Sequence, residues 1–321
     1  YLVSAGTDSS VILYDISRLN PDRVFDGHTG VVFGVRWSPD GRMLASSELN
    51  NAIYLWDAKS GECLHILAYP GDVGNFFDGL AWSPDGQMLA SGTYRSGLIV
   101  WNISTRSQQW NQNAISVRNV SWSPDGSRLV GGGDDGNVYV LNAADGHLIM
   151  QLAGHNRRVT NVSWSPDGTR LASGGSDHKH SELIVWDTEN GNRICTIADH
   201  SGIIDTVAWG VDQNTVITGD SSGSLCWWDV QTGKRLWMHE AHQGKVQSLR
   251  RTSDASKLAS CGDDGAIKIW DLGSGDYLQT LRRDRPYERL NITGIRGLTE
   301  AQKATLRTLG AIEDSPIAKF S

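Results

Sequence analysis

The sequence predicts an all-β fold, a β-propeller of four-stranded antiparallel blades, and three observations carry that reading. The first is an aromatic–acid ending that recurs about every 40 to 45 residues: Tyr14-Asp15, Trp56-Asp57, Trp101-Asn102, Leu141-Asn142, Trp186-Asp187, Trp228-Asp229 and Trp270-Asp271. That period fits four strands per unit and excludes the shorter helical repeats. The second is one turn, SPDG, repeated at one phase at Ser38–Gly41, Ser83–Gly86, Ser123–Gly126 and Ser165–Gly168. Proline presets φ, aspartate bonds its own backbone and glycine takes the positive φ that closes a hairpin. The third is the pair of runs around each turn. "VVFGVRWS", "VTNVSWS" and "IIDTVAWG" alternate as first strands, and "MLAS", "RLAS" and "KLAS" begin second strands.

Composition agrees with that architecture. The chain has 321 residues, with 36 glycines to supply tight turns and 13 tryptophans to fill buried strands. Its net charge of −7 lacks the basic footprint of a nucleic-acid binder. Cys63, Cys195, Cys226 and Cys261 form no CxxC pair, and each falls in a predicted strand as a small buried hydrophobe. A reducing, cytoplasmic setting without disulfides follows. No apolar run reaches membrane-spanning length and no signal peptide is present, so a soluble protein without a membrane partner is expected. The chain starts at Tyr1, inside a repeat, as an excerpt of a longer protein would.

Counting strands raises a closure problem. Six complete units run from about Val31 to Arg282, while "YLVSAG", "SVILYD" and "DRVFDG" supply only three strands at the N-terminus. An open ring would leave unpaired strand edges. The one alternating segment left over is "LNITGIRG", Leu290–Gly297. It is therefore predicted to pair with the N-terminal strands and close a seven-bladed β-propeller spanning 1–297. Beyond it, Leu298–Ala311 reads as a short C-terminal helix with a Thr299/Gln302 capping box and Gly310 as its stop, and 312–321 is a tail.

With these residues in place, the units resemble WD-repeat (WD40) propellers over about 1–283. The resemblance implies a hydrogen-bonded network of histidine, Ser/Thr, Asp and Trp in each complete unit. His155, Ser173, Asp177 and Trp186 make one full set, and His242, Ser260, Asp264 and Trp270 another. Two units are partial: His28, Ser46 and Trp56 with Asn50, and His200, Thr218 and Trp228 with Ser222. Near the N-terminus Ser4 and Asp8 fall at network positions. Repeat phase makes these histidines structural rather than catalytic or metal-binding, because buried polar groups must be paired.

A propeller is a scaffold, so function has to be sought where regularity fails. The SPDG-side loops are uniform; the opposite face is not. There "AYPGDVGNFF" (68–77) and "SDHKHSE" (176–182) are long, and Arg95 replaces a turn aspartate. At the starts of the first strands, Val31, Phe76, Ser116, Arg158, Ile203 and Lys245 share one phase toward the central channel. Tyr69, Phe76, Tyr94, Arg95, Arg157, Arg158, His178, His180 and Lys245 form the candidate protein-binding face, since aromatics and arginine anchor interfaces. His178, His180 and Glu182 carry zinc-type donors, but no third ligand is fixed by spacing and the segment reads as a solvated loop, so no metal and no cofactor are assigned. No Walker A or HExxH motif occurs, which argues against an enzyme.

The tail "DRPYERLNITGIRGLTEAQKATLRTLGAIE" is similar to the C-terminal signature of bacterial WD-repeat proteins in the apoptosome-like class of signal-transducing NTPases. That resemblance implies a sensor domain that holds an NTPase in cis inactive until a protein or peptide ligand binds. A general scaffold assembling a multiprotein complex is the alternative.

Overall fold

The computed structural model describes residues 1–16, 20–49, 52–68, 77–93, 97–176, 181–282, 290–293, 295, 297–308 and 311–313. Its strands follow the predicted rhythm. Sheet 1 holds Leu2–Ala5, Val11–Asp15 and Asn20–Phe25. Sheet 2 holds Val32–Trp37, Met43–Glu48, Ala52–Asp57 and Cys63–Ala68. Phe77–Trp82, Met88–Thr93, Gly97–Asn102 and Ser107–Gln112 form sheet 3, and Val117–Trp122, Arg128–Gly133, Asn137–Asn142 and Leu148–Ala153 form sheet 4. Sheets 3 and 4 are joined at one residue pair, Val117 with Thr93. Sheet 5 contains Val159–Trp164, Arg170–Ser176, Ser181–Asp187 and Arg193–Ile197; sheet 6 contains Ile204–Trp209, Thr215–Asp220, Ser224–Asp229 and Arg235–Glu240. Val246–Arg251, Lys257–Gly262, Ala266–Asp271 and Tyr277–Arg282 make sheet 7. Every ladder is antiparallel, the order that short hairpin connections allow.

Each sheet buries one face against the next. Ile53 and Leu55 of sheet 2 pack with Leu80 and Trp101 of sheet 3, and Leu183 and Val185 of sheet 5 pack with Val207 and Trp228 of sheet 6. The sequence of contacts returns to its start, because Ile267, Ile269 and Leu281 of sheet 7 lie against Ile12 and Tyr14 of sheet 1. This closed cycle of sheet-on-sheet burial is a β-propeller.

Hydrogen bonds reinforce the cycle near its centre. In sheets 3 to 6 the tryptophan ending the first strand reaches back to the preceding first strand. Trp82, Trp122, Trp164 and Trp209 donate Nε1–H to the carbonyls of Arg36, Ala81, Ser121 and Ser163 at 3.3, 2.9, 3.3 and 3.0 Å. Sheet 7 has Arg251 at this phase, and its guanidinium donates to the Gly210 carbonyl at 3.3 Å. Beside them, Asn119 and Asn161 accept the backbone N–H groups of Val162 and Val207, and the Thr206 hydroxyl accepts that of Leu249.

The four SPDG turns share one geometry. In each, the serine hydroxyl donates to the aspartate, at 2.6, 2.5, 2.5 and 2.6 Å in chain order, and the glycine has φ near +70°. On the opposite face the turn between second and third strands is tighter at Gly223, where φ is +90° and an added Cβ would overlap the His242 carbonyl oxygen. Gly223→Ala is expected to cost at least about 1 kcal/mol, from the left-handed backbone and the clash together. An unchanged urea midpoint would contradict this account of the turn.

Three expectations need correction. Leu290–Gly297 is not a strand among the described residues. Ile292 N–H donates to the Ile312 carbonyl at 2.8 Å and Ile312 N–H donates to that of Leu290 at 2.9 Å, giving an isolated parallel bridge at Asn291. Local bonds take further donors: Thr293 N–H goes to the Asn291 side chain, and Ile295 N–H to the Ile292 carbonyl. Such local bonds compete with a sheet ladder. Second, the compact unit that contains the sheets ends at Leu281, and residues 282–321 form a second unit. In that unit a helix spans Glu300–Thr308, with Thr299 and Gln302 exchanging backbone-to-side-chain bonds at 2.8 and 3.2 Å, while the predicted stop at Gly310 lies outside the described residues. Third, Cys63 is not buried: it lies exposed in the outermost strand of sheet 2, whereas Cys226 is buried.

Candidate functional site

The histidines come first, because they look most like chemistry. In sheet 7 the relay is complete. Trp270 Nε1–H donates to Ser260 Oγ at 2.9 Å, Ser260 meets His242 Nε2 at 2.8 Å, and His242 Nδ1 meets Asp264 Oδ1 at 3.0 Å. In the neutral ring these links place the proton on Nδ1, which donates to Asp264, while Nε2 accepts from the Ser260 hydroxyl. Burial alone would push the Asp264 carboxyl up, but its bonds from His242 and Ala266 N–H outweigh burial and hold it low. In sheet 5, Trp186 and His155 meet at Ser173, at 2.8 and 2.7 Å. Asp177 lies outside the described residues; Glu182 stands 3.2 Å from His155 Nδ1. That approach lacks hydrogen-bond geometry, so Glu182 does not complete this relay as Asp264 completes that of sheet 7.

The two partial sets are corrected by their acids. Asn50 lies outside the described residues, and Glu48, at the end of the second strand, bonds His28 Nδ1 at 2.9 Å and the Thr29 hydroxyl at 2.8 Å. His28 and Trp56 both meet Ser46 Oγ at 2.7 Å. In sheet 6, Ser222 does not reach His200; its hydroxyl donates to Asp220 at 2.5 Å. His200 Nε2 meets Thr218 Oγ1 at 3.2 Å, and its Nδ1 is buried without a partner among the described residues. Burial pushes His155 and His200 down to about 4. It also lowers His28, against the pull of Glu48. Each of these rings is packed between a hydroxyl and a tryptophan, which is a structural assignment.

A phase rule explains where the acid comes from. Two residues after the network Ser/Thr stand Glu48, Gly175, Asp220 and Gly262. At Gly175 and Gly262 the imidazole of His155 or His242 occupies the space of a side chain, so any acid must come from beyond the strand. Glu48 at that phase brings the acid on the strand itself, whereas Asp220 accepts from Ser222 and from Ser224 N–H and leaves His200 Nδ1 without a partner among the described residues.

Sheets 3 and 4 have drifted further. Trp101 still donates to Ser91 at 3.0 Å, but no histidine joins them. In sheet 4, Gly131 and Leu141 replace the hydroxyl and the tryptophan, and Tyr139 donates to Asp135 at 2.5 Å.

Of the candidate binding face, Tyr69, Phe76, Tyr94, Arg95, His178 and His180 lie outside the described residues. Arg157 and Arg158 are exposed. Val31, Arg158, Ile203 and Lys245 are structurally equivalent: their carbonyls accept the N–H groups of Leu49, Ser176, Ser221 and Asp263 at 3.0, 3.2, 2.8 and 3.0 Å. Lys245 is not a free cation, because its Nζ lies 2.8 Å from Asp205 Oδ1. Asp205, in the first strand of sheet 6, was not singled out by the sequence reading; its side chain is 8% exposed and its Oδ2 has no hydrogen-bond partner among the described residues. Burial pushes its carboxyl up, with Lys245 and Arg158 opposing. Around the same mouth Asp134 accepts from Ser116 and Arg118, both at 3.0 Å, and Asp263 accepts from Gln247 at 2.6 Å. No group of three potential metal ligands occurs among the described residues, and none of their helices is long and apolar enough to cross a membrane.

The cycle of sheets with its Trp–Ser/Thr–His relays defines a WD-repeat propeller. Comparison with known proteins agrees: the chain carries WD domain, G-beta repeats at 191–229 and 233–271, and matches the WDR19 first beta-propeller family over 33–181. It is 35% identical over 71 residues to the transcriptional corepressor LEUNIG_HOMOLOG of Arabidopsis thaliana, covering 22% of this chain and 9% of that protein. Retinoblastoma-binding protein homolog 5 of Caenorhabditis elegans is 36% identical over 69 residues, 21% of this chain and 15% of the relative. A WD repeat-containing protein of Nostoc sp. is 57% identical over 37 residues, 12% of this chain and 2% of its own length. The matched stretches thus span a small part of each relative.

Proposed function

We propose that this chain is a non-catalytic protein-interaction propeller of seven blades that takes a protein or peptide at the channel mouth formed by the starts of its first strands. The observation that carries this reading is Asp205, a buried carboxylate with one oxygen unpartnered among the described residues and Lys245 on the other. That oxygen is closed to solvent, so the carboxylate acts on a partner through the Lys245 ammonium that it positions at the mouth. The exposed Arg157 and Arg158 supply the residue type that anchors such contacts. The finer reading is that the propeller is the ligand-sensing, autoinhibitory end of a bacterial signalling NTPase, with that NTPase in cis as a second partner. The similarity of the 284–313 tail to that class supports it.

Two measurements test these levels separately. Affinity capture with wild type and with Arg158→Glu/Lys245→Glu should yield different partners, with the wild-type set lost from the variant; identical sets would refute the mouth as the binding face. The reading frame upstream of Tyr1 should encode a P-loop domain. Its absence would leave the constitutive scaffold as the function.

A further inference from the structure

The channel holds a second site, at its SPDG end, with a different chemistry. A cavity of about 260 Å³ is lined there by parts of six first strands and the turns that follow them. Two arginines enter it from the same strand phase, Arg36 in sheet 2 and Arg250 in sheet 7. Each donates Nη1–H to the carbonyl of its preceding residue, Val35 at 2.8 Å and Leu249 at 2.7 Å. Neither has a carboxylate partner among the described residues, and no acid lines the cavity. Arg250 is exposed and Arg36 half-buried, so both guanidiniums are open to a ligand in the channel.

The amides point to the same ligand. Asn119 and Asn161 also line the cavity, and their Oδ1 atoms accept the backbone N–H groups of Val162 and Val207 at 3.3 and 3.2 Å. Those bonds fix which end of each carboxamide is oxygen, leaving the NH₂ groups with no acceptor among the described residues. The carbonyls that could have served, those of Arg36, Ala81, Ser121 and Ser163, are taken by the indole N–H groups of the next sheets. Acceptors at this end of the channel are capped and donors are not. We infer that the cavity is an oxyanion site in which the Arg36 and Arg250 guanidiniums and the Asn119 and Asn161 amides bind a phosphate or carboxylate group.

Guanidinium groups match both oxyanions through paired N–H donors, so the source of the anion is decided by experiment. The full chain is titrated calorimetrically with inorganic phosphate and, separately, with succinate, at constant ionic strength. Saturable binding of either supports the site: phosphate alone points to a phosphoryl ligand, succinate alone to a carboxylate such as an acidic peptide side chain, and both to a general oxyanion site. Arg250→Gln should weaken that binding by about tenfold. Asn161→Asp should abolish it, because the carboxylate keeps an acceptor for Val207 N–H while replacing an amide donor with negative charge. No saturable binding of either anion to wild type overturns the proposal, as does an affinity within threefold of wild type in the folded variants. Arg36→Gln serves where either of the others does not fold.

Discussion

Trp228→Ala is expected to destabilise the propeller by about 3–5 kcal/mol, the range for deleting a large aromatic ring from a packed core. Three losses coincide there. The ring is 1% exposed and belongs to the cluster in which Leu183, Val185 and Ile197 of sheet 5 meet Val207 and Val216 of sheet 6, so the cavity would open between two sheets. Its Nε1–H bond to Thr218 at 2.9 Å would vanish. His200, whose ring centroid is 4.7 Å away, and Arg235, 5.8 Å away, would lose the surface they pack on. Trp228→Phe separates these effects, since it keeps most of the volume and removes only the donor; its cost should be about 1–2 kcal/mol. Tyr277→Ala, at an exposed position of an outermost strand, should change stability by less than about 0.5 kcal/mol. Urea denaturation of the three variants reads all of this, and a Trp228→Ala chain within 1 kcal/mol of wild type would show that the sheet-to-sheet core is not what holds the ring.

The reach of the sequence follows from the range of the interactions. SPDG was legible because its geometry is set within four residues, serine to aspartate and glycine at positive φ. The Trp–Asp endings were legible for a related reason: Asp57, Asp187, Asp229 and Asp271 each cap their own turn by accepting N–H groups two or three residues on. The acids of the histidine relays were less so, because the same role is filled from the turn in Asp264 and from the strand in Glu48. Glycine or acid two residues after the network hydroxyl would have distinguished them. Leu290–Gly297 shows the opposite failure. Alternation marks a segment able to pair but does not name its partner, and the backbone of Leu290 and Ile292 is bonded to Ile312. At the channel, Asp205, Asn119 and Asn161 looked like ordinary polar residues of alternating strands. What sets them apart is an atom without a partner, and that depends on neighbours 40 or more residues away.

Acid should weaken the propeller well before its carboxylates are protonated. His155 and His200 titrate near 4 when folded, against about 6.5 in an unfolded chain, so between those values the unfolded state binds more protons. Their contribution is fully present above pH 6.5 and is lost as pH falls toward 4. At pH 5 each ring should have given up about 2 kcal/mol. Depressed carboxylates contribute in a separate, lower window: Asp125 and Asp254, held near 2 by serine and threonine hydroxyls, lose their effect only below the ordinary carboxylate range. Asp205 opposes the trend, because its raised pKa favours the folded state as it protonates. Unfolding free energy measured at pH 7.5 and pH 5 should therefore fall for wild type, and by about 2 kcal/mol less for His200→Gln, from which one buried ring is gone. The fall has a structural origin that the variant isolates. In the Trp228–Thr218–His200 relay no carboxylate bonds Nδ1 among the described residues, and burial outweighs the pull of the nearby Asp220 and Asp199 charges on a proton added there. A pH-independent stability over this range would mean that the rings are hydrated in solution, and the structural assignment of the histidines would fall with it.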